Sequence, residues 1–177
     1  PDNRIFISDE HLQKILVFNS DGGFINEWGC FGDDAGKLDT PSGLAINTEG
    51  NLIISDTYNH RIQMFSLEGS FIKTFGTYGC GDGELNMPWR LSFGPDSNIY
   101  VADWGNSRVS IFTQEGDFIT SLGEVGTENA KFDHPADVVS DSNGHIYVCD
   151  WGNERVQVLD SKGEFLQLTM GESTLSP

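Results

Sequence analysis

The chain has 177 residues, of which 37% are hydrophobic, and a formal net charge of −17. A polyanion repels phosphate backbones, which disfavours nucleic-acid binding, and no apolar run approaches the ~20 residues of a membrane span. The three cysteines, Cys30, Cys80 and Cys149, lack CxxC spacing, so the sequence predicts neither a disulfide framework nor a zinc site.

A repeat of 47 residues organises the chain from its first strand to its last. The clearest column is an aspartate, found at Asp9, Asp56, Asp103 and Asp150. A basic column with the same offset comprises Lys14, Arg61, Arg108 and Arg155. Because the copies keep their spacing without insertions, the sequence predicts one supersecondary unit used repeatedly.

The second copy shows the content of this unit. Short runs rich in β-branched and aromatic residues cover residues 43–47, 51–55, 61–65 and 71–75, and turns rich in Gly, Asn and Asp separate them. We name these strands A to D, from the axis to the rim. Four short antiparallel strands per repeat predict the blade of an all-β propeller.

In chain order, the repeat predicts a single propeller domain over residues 1–177 that contains part of a ring. The first blade, residues 1–32, lacks strand A, and whole blades follow at residues 33–79, 80–126 and 127–177. An open arc exposes sheet faces at its ends. The sequence therefore leaves open a fragment of a longer protein, a partial structure, or self-association that closes the ring.

The segments Asp56–Phe65, Asp103–Phe112 and Asp150–Leu159 resemble the D-x-x-N-x-R-[IV]-x-[VI]-F core of the NHL-repeat family. The first copy departs from this core, with Leu12 and Lys14 in place of Asn and Arg. The resemblance implies β-propeller blades of four strands, as part of a ring of about six blades. It says little about function, because this fold hosts many functions.

We interpret the Asp, Asn and Arg columns as structural, because an active site is used once whereas these columns recur in the blades. Each aspartate is expected to accept hydrogen bonds from the backbone of its B–C turn and to pair with the arginine.

Candidate ligand-binding residues lie in the B–C turns and D–A connections, which leave one end of a propeller, here called the top face. Loops there are free to differ between blades, and aromatic residues and arginine are enriched in binding hot spots. The candidates are Trp89, Arg90, Tyr58, Trp104, Trp151, His60 and Asp137. Two structural roles compete with binding: the tryptophans cap blade interfaces, or Trp89 fills the mouth of the ring while Arg90 pairs with Asp137.

The sequence favours a non-enzymatic module that binds protein, peptide or another polymer on this face. The alternative is a propeller lyase or hydrolase with a metal near the axis, for which His11, His60 and His134 are the conceivable ligands. RNA binding ranks last, because four of the ten basic residues stand in the structural column. We expect no catalytic residue, cofactor or metal, and the sequence does not indicate a compartment.

Overall fold

The computed structural model describes residues 3–170, and within this range fifteen antiparallel strands form four sheets, which confirms the all-β prediction. The first sheet has three strands: β1 (Ile5–Asp9), β2 (Lys14–Phe18) and β3 (Phe24–Trp28). The second has four: β4 (Pro41–Ile46), β5 (Asn51–Asp56), β6 (Arg61–Ser66) and β7 (Phe71–Phe75).

The third and fourth sheets repeat the four-stranded arrangement, and each sheet follows the order of the chain. The third contains β8 (Pro88–Phe93), β9 (Ile99–Asp103), β10 (Arg108–Phe112) and β11 (Phe118–Leu122). The fourth contains β12 (Pro135–Ser140), β13 (Ile146–Asp150), β14 (Arg155–Leu159) and β15 (Phe165–Met170). The ends of the predicted domain, residues 1–2 and 171–177, lie outside the described range.

Short turns connect the strands. Three of the B–C turns are single turns of 3-10 helix, at Thr57–Asn59, Trp104–Asn106 and Trp151–Asn153. In the second sheet the A–B turn is closed by Asn47, whose side-chain oxygen accepts the backbone N–H groups of Glu49 and Asn51. None of the helical segments in residues 3–170 has the length and apolarity needed to cross a bilayer.

The core lies between neighbouring sheets. A fully buried side chain from each D–A connection enters the space between the preceding sheet and its own, and these side chains are Leu38, Leu85 and Phe132. Phe132, for example, packs with Ala102 and Val109 of the third sheet and Val138 and Ile146 of the fourth. The innermost strands of the four sheets, β1, β4, β8 and β12, contact one another in turn. The N-terminal ends of the A strands β4, β8 and β12 lie at one end of the axis, here called the mouth of the ring.

The spacing of Asp and Arg, which recurs from repeat to repeat, is explained by a buried ion pair in each of the last three sheets. The guanidinium Nε of Arg61 lies 2.7 Å from a carboxylate oxygen of Asp56, and that side chain is fully buried. The same arginine also donates to the carbonyls of Asp33, Asp34 and Lys37 in the D–A connection. The predicted pairing of the two columns is therefore present in these three sheets, whereas Lys14 of the first sheet pairs with Glu27.

The expected backbone partner of these aspartates was wrong in the last three sheets. Asp56, Asp103 and Asp150 each accept an N–H from the D–A connection, at Asp39, Asn86 and Asp133 respectively. Only Asp9 accepts N–H groups of its own B–C turn, from His11 and Leu12. In those three sheets the donor lies seventeen residues before the aspartate, and for Asp9 the corresponding position would precede residue 1 of this sequence.

A second set of hydrogen bonds links neighbouring blades. In the second and third blades the residue that ends the 3-10 turn has a left-handed backbone and accepts an N–H from the next D–A connection. His60 Nδ1 accepts from Met87 at 3.0 Å, and Ser107 Oγ accepts from His134 at 3.3 Å. Each blade therefore fixes the start of the innermost strand in the following blade.

Candidate functional site

The B–C turns and D–A connections lie at the same end of the sheets, because they are hydrogen-bonded to each other. Gly105 N–H donates to the carbonyl of Asn86 at 2.8 Å, and Gly152 N–H donates to that of Asp133 at 2.7 Å. The candidates from these two sets of loops therefore share the top face.

A β-bulge at the start of each A strand, β4, β8 and β12, places two residues at the mouth of the ring. In β8, Pro88 pairs with Asp103 and Leu91 pairs with Val101, so that Trp89 and Arg90 oppose a single residue of β9. The corresponding bulge residues are Ser42 and Gly43 in β4 and Ala136 and Asp137 in β12. Bulges re-aim side chains away from the regular alternation of a strand, and here they supply the variable residues of the site.

Five of the seven candidates line one cleft of about 450 Å³. Its walls are Trp89, Arg90, Trp104, Ala136, Asp137 and Trp151. The bulges of β8 and β12 supply four of these residues, and the two remaining tryptophans begin the adjacent 3-10 turns. A volume of this size lies within the usual range for ligand pockets, about 300–1,000 Å³.

The tryptophans form an open aromatic surface rather than a closed plug. The ring centroids of Trp89 and Trp104 are 5.7 Å apart, and the Trp104 ring also packs on His134 with the centroids 4.1 Å apart. Trp89 is 36% exposed and Trp151 is 63% exposed. Trp104, which is half-buried, joins the exposed cleft to the packed interface between the third and fourth blades.

Both charged residues of the cleft are exposed. Within residues 3–170 the Arg90 side chain forms no hydrogen bond or ion pair, and Asp137 forms no ion pair. One carboxylate oxygen of Asp137 accepts the N–H of Val138 at 2.8 Å. The ion pair between Arg90 and Asp137 that the sequence left open is therefore not formed, and both side chains face solvent. Arg90 also lines a second cavity of about 360 Å³, next to the first blade.

The second blade holds the Trp89–Arg90 bulge in place. Ser42 Oγ donates to the carbonyl of Trp89 at 2.6 Å, and Thr57 Oγ1 donates to that of Pro88 at 2.8 Å. A Cβ added to Gly43 would lie only 2.8 Å from the Trp89 carbonyl oxygen, so the close approach of the two strands requires glycine. The sequence indicated Ser42 and Gly43 only by their small size in the column that Trp89 and Arg90 occupy.

Tyr58 and His60 lie outside the main cleft. Tyr58 is 54% exposed and lines a cavity of about 70 Å³ that has Trp89 as another wall. His60 uses Nδ1 to accept the Met87 N–H, and its ring packs on Tyr78 at 4.6 Å. His60 therefore supports the segment that leads into Trp89 rather than facing the cleft.

Two of the three histidines considered as metal ligands, His60 and His134, have other partners. His60 Nδ1 accepts from Met87, and His134 Nδ1 contacts the carboxylate of Asp133. Among residues 3–170, no group of three or more His, Cys, Asp or Glu side chains is placed to hold a metal ion.

We expect the partly buried His60 to make stability depend on pH. Burial lowers the pKa of His60 below its ordinary value, although the charge of Asp103 opposes the shift. Between the unfolded pKa of about 6.5 and this lower folded pKa, the unfolded chain binds more protons than the folded chain. The contribution of His60 is therefore complete above that range and declines as the pH falls through it.

Thermal unfolding between pH 8 and pH 5 measures this effect. His60→Gln is the matched control, because Gln13 occupies the same position in the first blade and accepts the N–H of Thr40. The variant should lose less stability than the wild type over the acid half of the range. Equal losses in the two proteins would show that His60 does not titrate as described.

Comparison with known proteins identifies both the repeat and the fold. Residues 38–65, 85–112 and 132–159 match the family model of the NHL repeat. No curated protein matches the sequence. Many solved structures share the fold, and those described here are β-propeller proteins at low sequence identity.

Three similar structures illustrate this range. A catalytically inactive virginiamycin B lyase from Staphylococcus aureus, solved with quinupristin, has a TM-score of 0.74 and 16% identity over 97% of this chain. A protein of unknown function from Bacteroides caccae has a TM-score of 0.71 and 14% identity over 92% of this chain. A chain of the nidogen/laminin complex has a TM-score of 0.70 and 20% identity over 96% of this chain.

This chain spans 53%, 61% and 60% of those three structures, and thus about half the length of the lyase. At such identities the likeness concerns the fold alone.

Proposed function

Because this chain belongs to the NHL-repeat family of β-propellers, we propose that it acts as a binding module that holds a segment of polypeptide in the tryptophan cleft of its top face. The single observation that carries this proposal is that Trp89 and Arg90 leave the regular strand at a bulge and line an open cleft with two further tryptophans. Rigid aromatic planes and an arginine fork are the side chains that dominate protein-binding hot spots.

The surroundings of the cleft support binding rather than packing. Trp89 has a carbonyl fixed by Ser42, and its ring rests beside Trp104, so the exposed indole is held before a ligand arrives. Preorganisation of this kind lowers the conformational cost of association. The similarity to a chain from a protein complex is consistent with such use of the fold.

Selection of a displayed random peptide library on the immobilised chain tests the proposal. Peptides that bind the wild type should lose binding by about tenfold or more in Trp89→Ala, because removal of a central hot-spot side chain costs about 2 kcal/mol or more. The thermal midpoint of the variant should stay close to that of the wild type, since Trp89 is exposed at the mouth.

Phe71→Ala provides the matched control, because this aromatic side chain is 38% exposed on the rim strand β7. It should leave peptide binding unchanged. If the selected peptides bind Trp89→Ala as well as the wild type, the cleft is not the binding site.

A further inference from the structure

We infer that the cleft selects a dipolar segment, in which an acidic group and a basic side chain lie close together. This inference rests on the proposed function and specifies the chemistry of its ligand. It follows from two opposite, exposed charges that line the same cleft, Arg90 and Asp137, with indole rings beside them.

Arg90 differs from the arginines of the structural column. Arg108, for example, donates to the carboxylate of Asp103 and to three backbone carbonyls of its D–A connection. Arg90 has no such partner within residues 3–170, although it is held on a bulge beside Trp89. A guanidinium presents a planar fork that matches a carboxylate with two parallel hydrogen bonds. Arg90 therefore recognises the acidic group of the segment.

Asp137 occupies the equivalent position one repeat later, on the neighbouring innermost strand. Its carboxylate accepts one backbone N–H, from Val138, and has no cation beside it among the described residues. The cleft also exposes Trp151, whose ring face attracts a cation. A lysine or arginine side chain of the segment would gain both interactions, and the net charge of −17 adds a general attraction between this protein and a cation.

A segment with one kind of charge fits this cleft less well. An acidic segment would pair with Arg90 but be repelled by Asp137. A basic segment would pair with Asp137 but be repelled by Arg90. Like charges placed together at an interface disfavour a partner strongly, so the pair selects against both. A dipolar segment satisfies both side chains, and its direction across the two blades is fixed by their order.

The charge composition of peptides selected on the wild type tests this inference. We expect most Trp89-dependent peptides to carry an acidic and a basic residue within a few positions of each other. Neutralising either residue in a selected peptide should weaken binding by about tenfold. In Arg90→Gln, loss of the acidic residue should have little further effect, and in Asp137→Asn the same should hold for the basic residue.

Exchange of the two charges gives the sharpest readout. The double variant Arg90→Asp, Asp137→Arg keeps the net charge and should favour peptides in which the order of acidic and basic residues is reversed. Lys162→Ala is the control, because Lys162 is exposed on the C–D turn of the fourth blade, away from the cleft. It should leave affinity unchanged.

The outcomes separate this inference from the proposed function. Trp89-dependent peptides that carry only acidic, only basic or no charged residues would contradict the dipolar ligand and leave the binding module standing. Unchanged peptide order in the exchanged variant would also contradict it. Failure to recover any Trp89-dependent peptide would contradict both proposals.

Discussion

Replacing Phe132 with alanine should lower the free energy of unfolding by about 3–5 kcal/mol, the usual cost of truncating a buried aromatic side chain. Phe132 is fully buried and fills the space between the third and fourth blades, where it contacts Val109 and Val138. Its loss would leave a cavity that the two rigid sheets cannot close. Urea unfolding followed by tryptophan fluorescence measures the change.

Val125→Ala is the matched control. Val125 lies on the same D–A connection and forms a parallel bridge with Phe132, but it is 71% exposed. This variant should change stability by less than about 0.5 kcal/mol, as is usual for surface positions. A small effect of Phe132→Ala, comparable with that of the control, would contradict the packing role assigned to the D–A connections.

Asp103→Ala should lower the free energy of unfolding by about 1–3 kcal/mol, because buried donors lose their acceptor. The fully buried carboxylate accepts from the backbone of Asn86 and from the side chains of Asn106, Arg108 and Ser110. The arginine would keep its three carbonyl partners, which limits the penalty. Thermal and urea unfolding both measure this loss.

Asp103→Asn separates charge from hydrogen bonding, since the amide keeps one acceptor oxygen but offers no negative charge to Arg108. It should fall between the wild type and Asp103→Ala. Asp117→Ala, at an exposed position of the same blade, should leave stability unchanged. Unaltered unfolding of Asp103→Ala would remove the basis for regarding the aspartate column as structural.

The repeated columns were enough to predict the fold. Residues at fixed intervals of 47 marked the strands, and the NHL-like segments from Asp103 and Asp150 identified the family. The columns succeed because core and turn residues face the same surroundings in successive blades. The backbone hydrogen-bond donors to Asp56, Asp103 and Asp150 were harder to predict, because each donor lies seventeen residues upstream on another loop.

The site was predicted as a set of residue types, but its geometry was not. Uniqueness in the repeat pointed to Trp89 and Arg90, whereas the bulge that turns them toward the mouth leaves no mark in the hydrophobic pattern. The sequence also did not reveal that His60 supports the segment before Trp89, because the Met87 N–H that its ring accepts belongs to the next blade. Alternation along a strand cannot reveal contacts of this kind.

In the proposed binding module, Gly43 makes the repeating unit of the sequence different from the unit that would recognise a ligand. The strand that carries Trp89 and Arg90 can approach its neighbour only because a Cβ is missing one blade earlier. A recognition surface transplanted to another propeller would thus have to include Ser42 and Gly43 with the tryptophan and arginine. During the evolution of such a propeller, a change of the bulge residues in one blade must be accompanied by a residue in the preceding blade that leaves room for them.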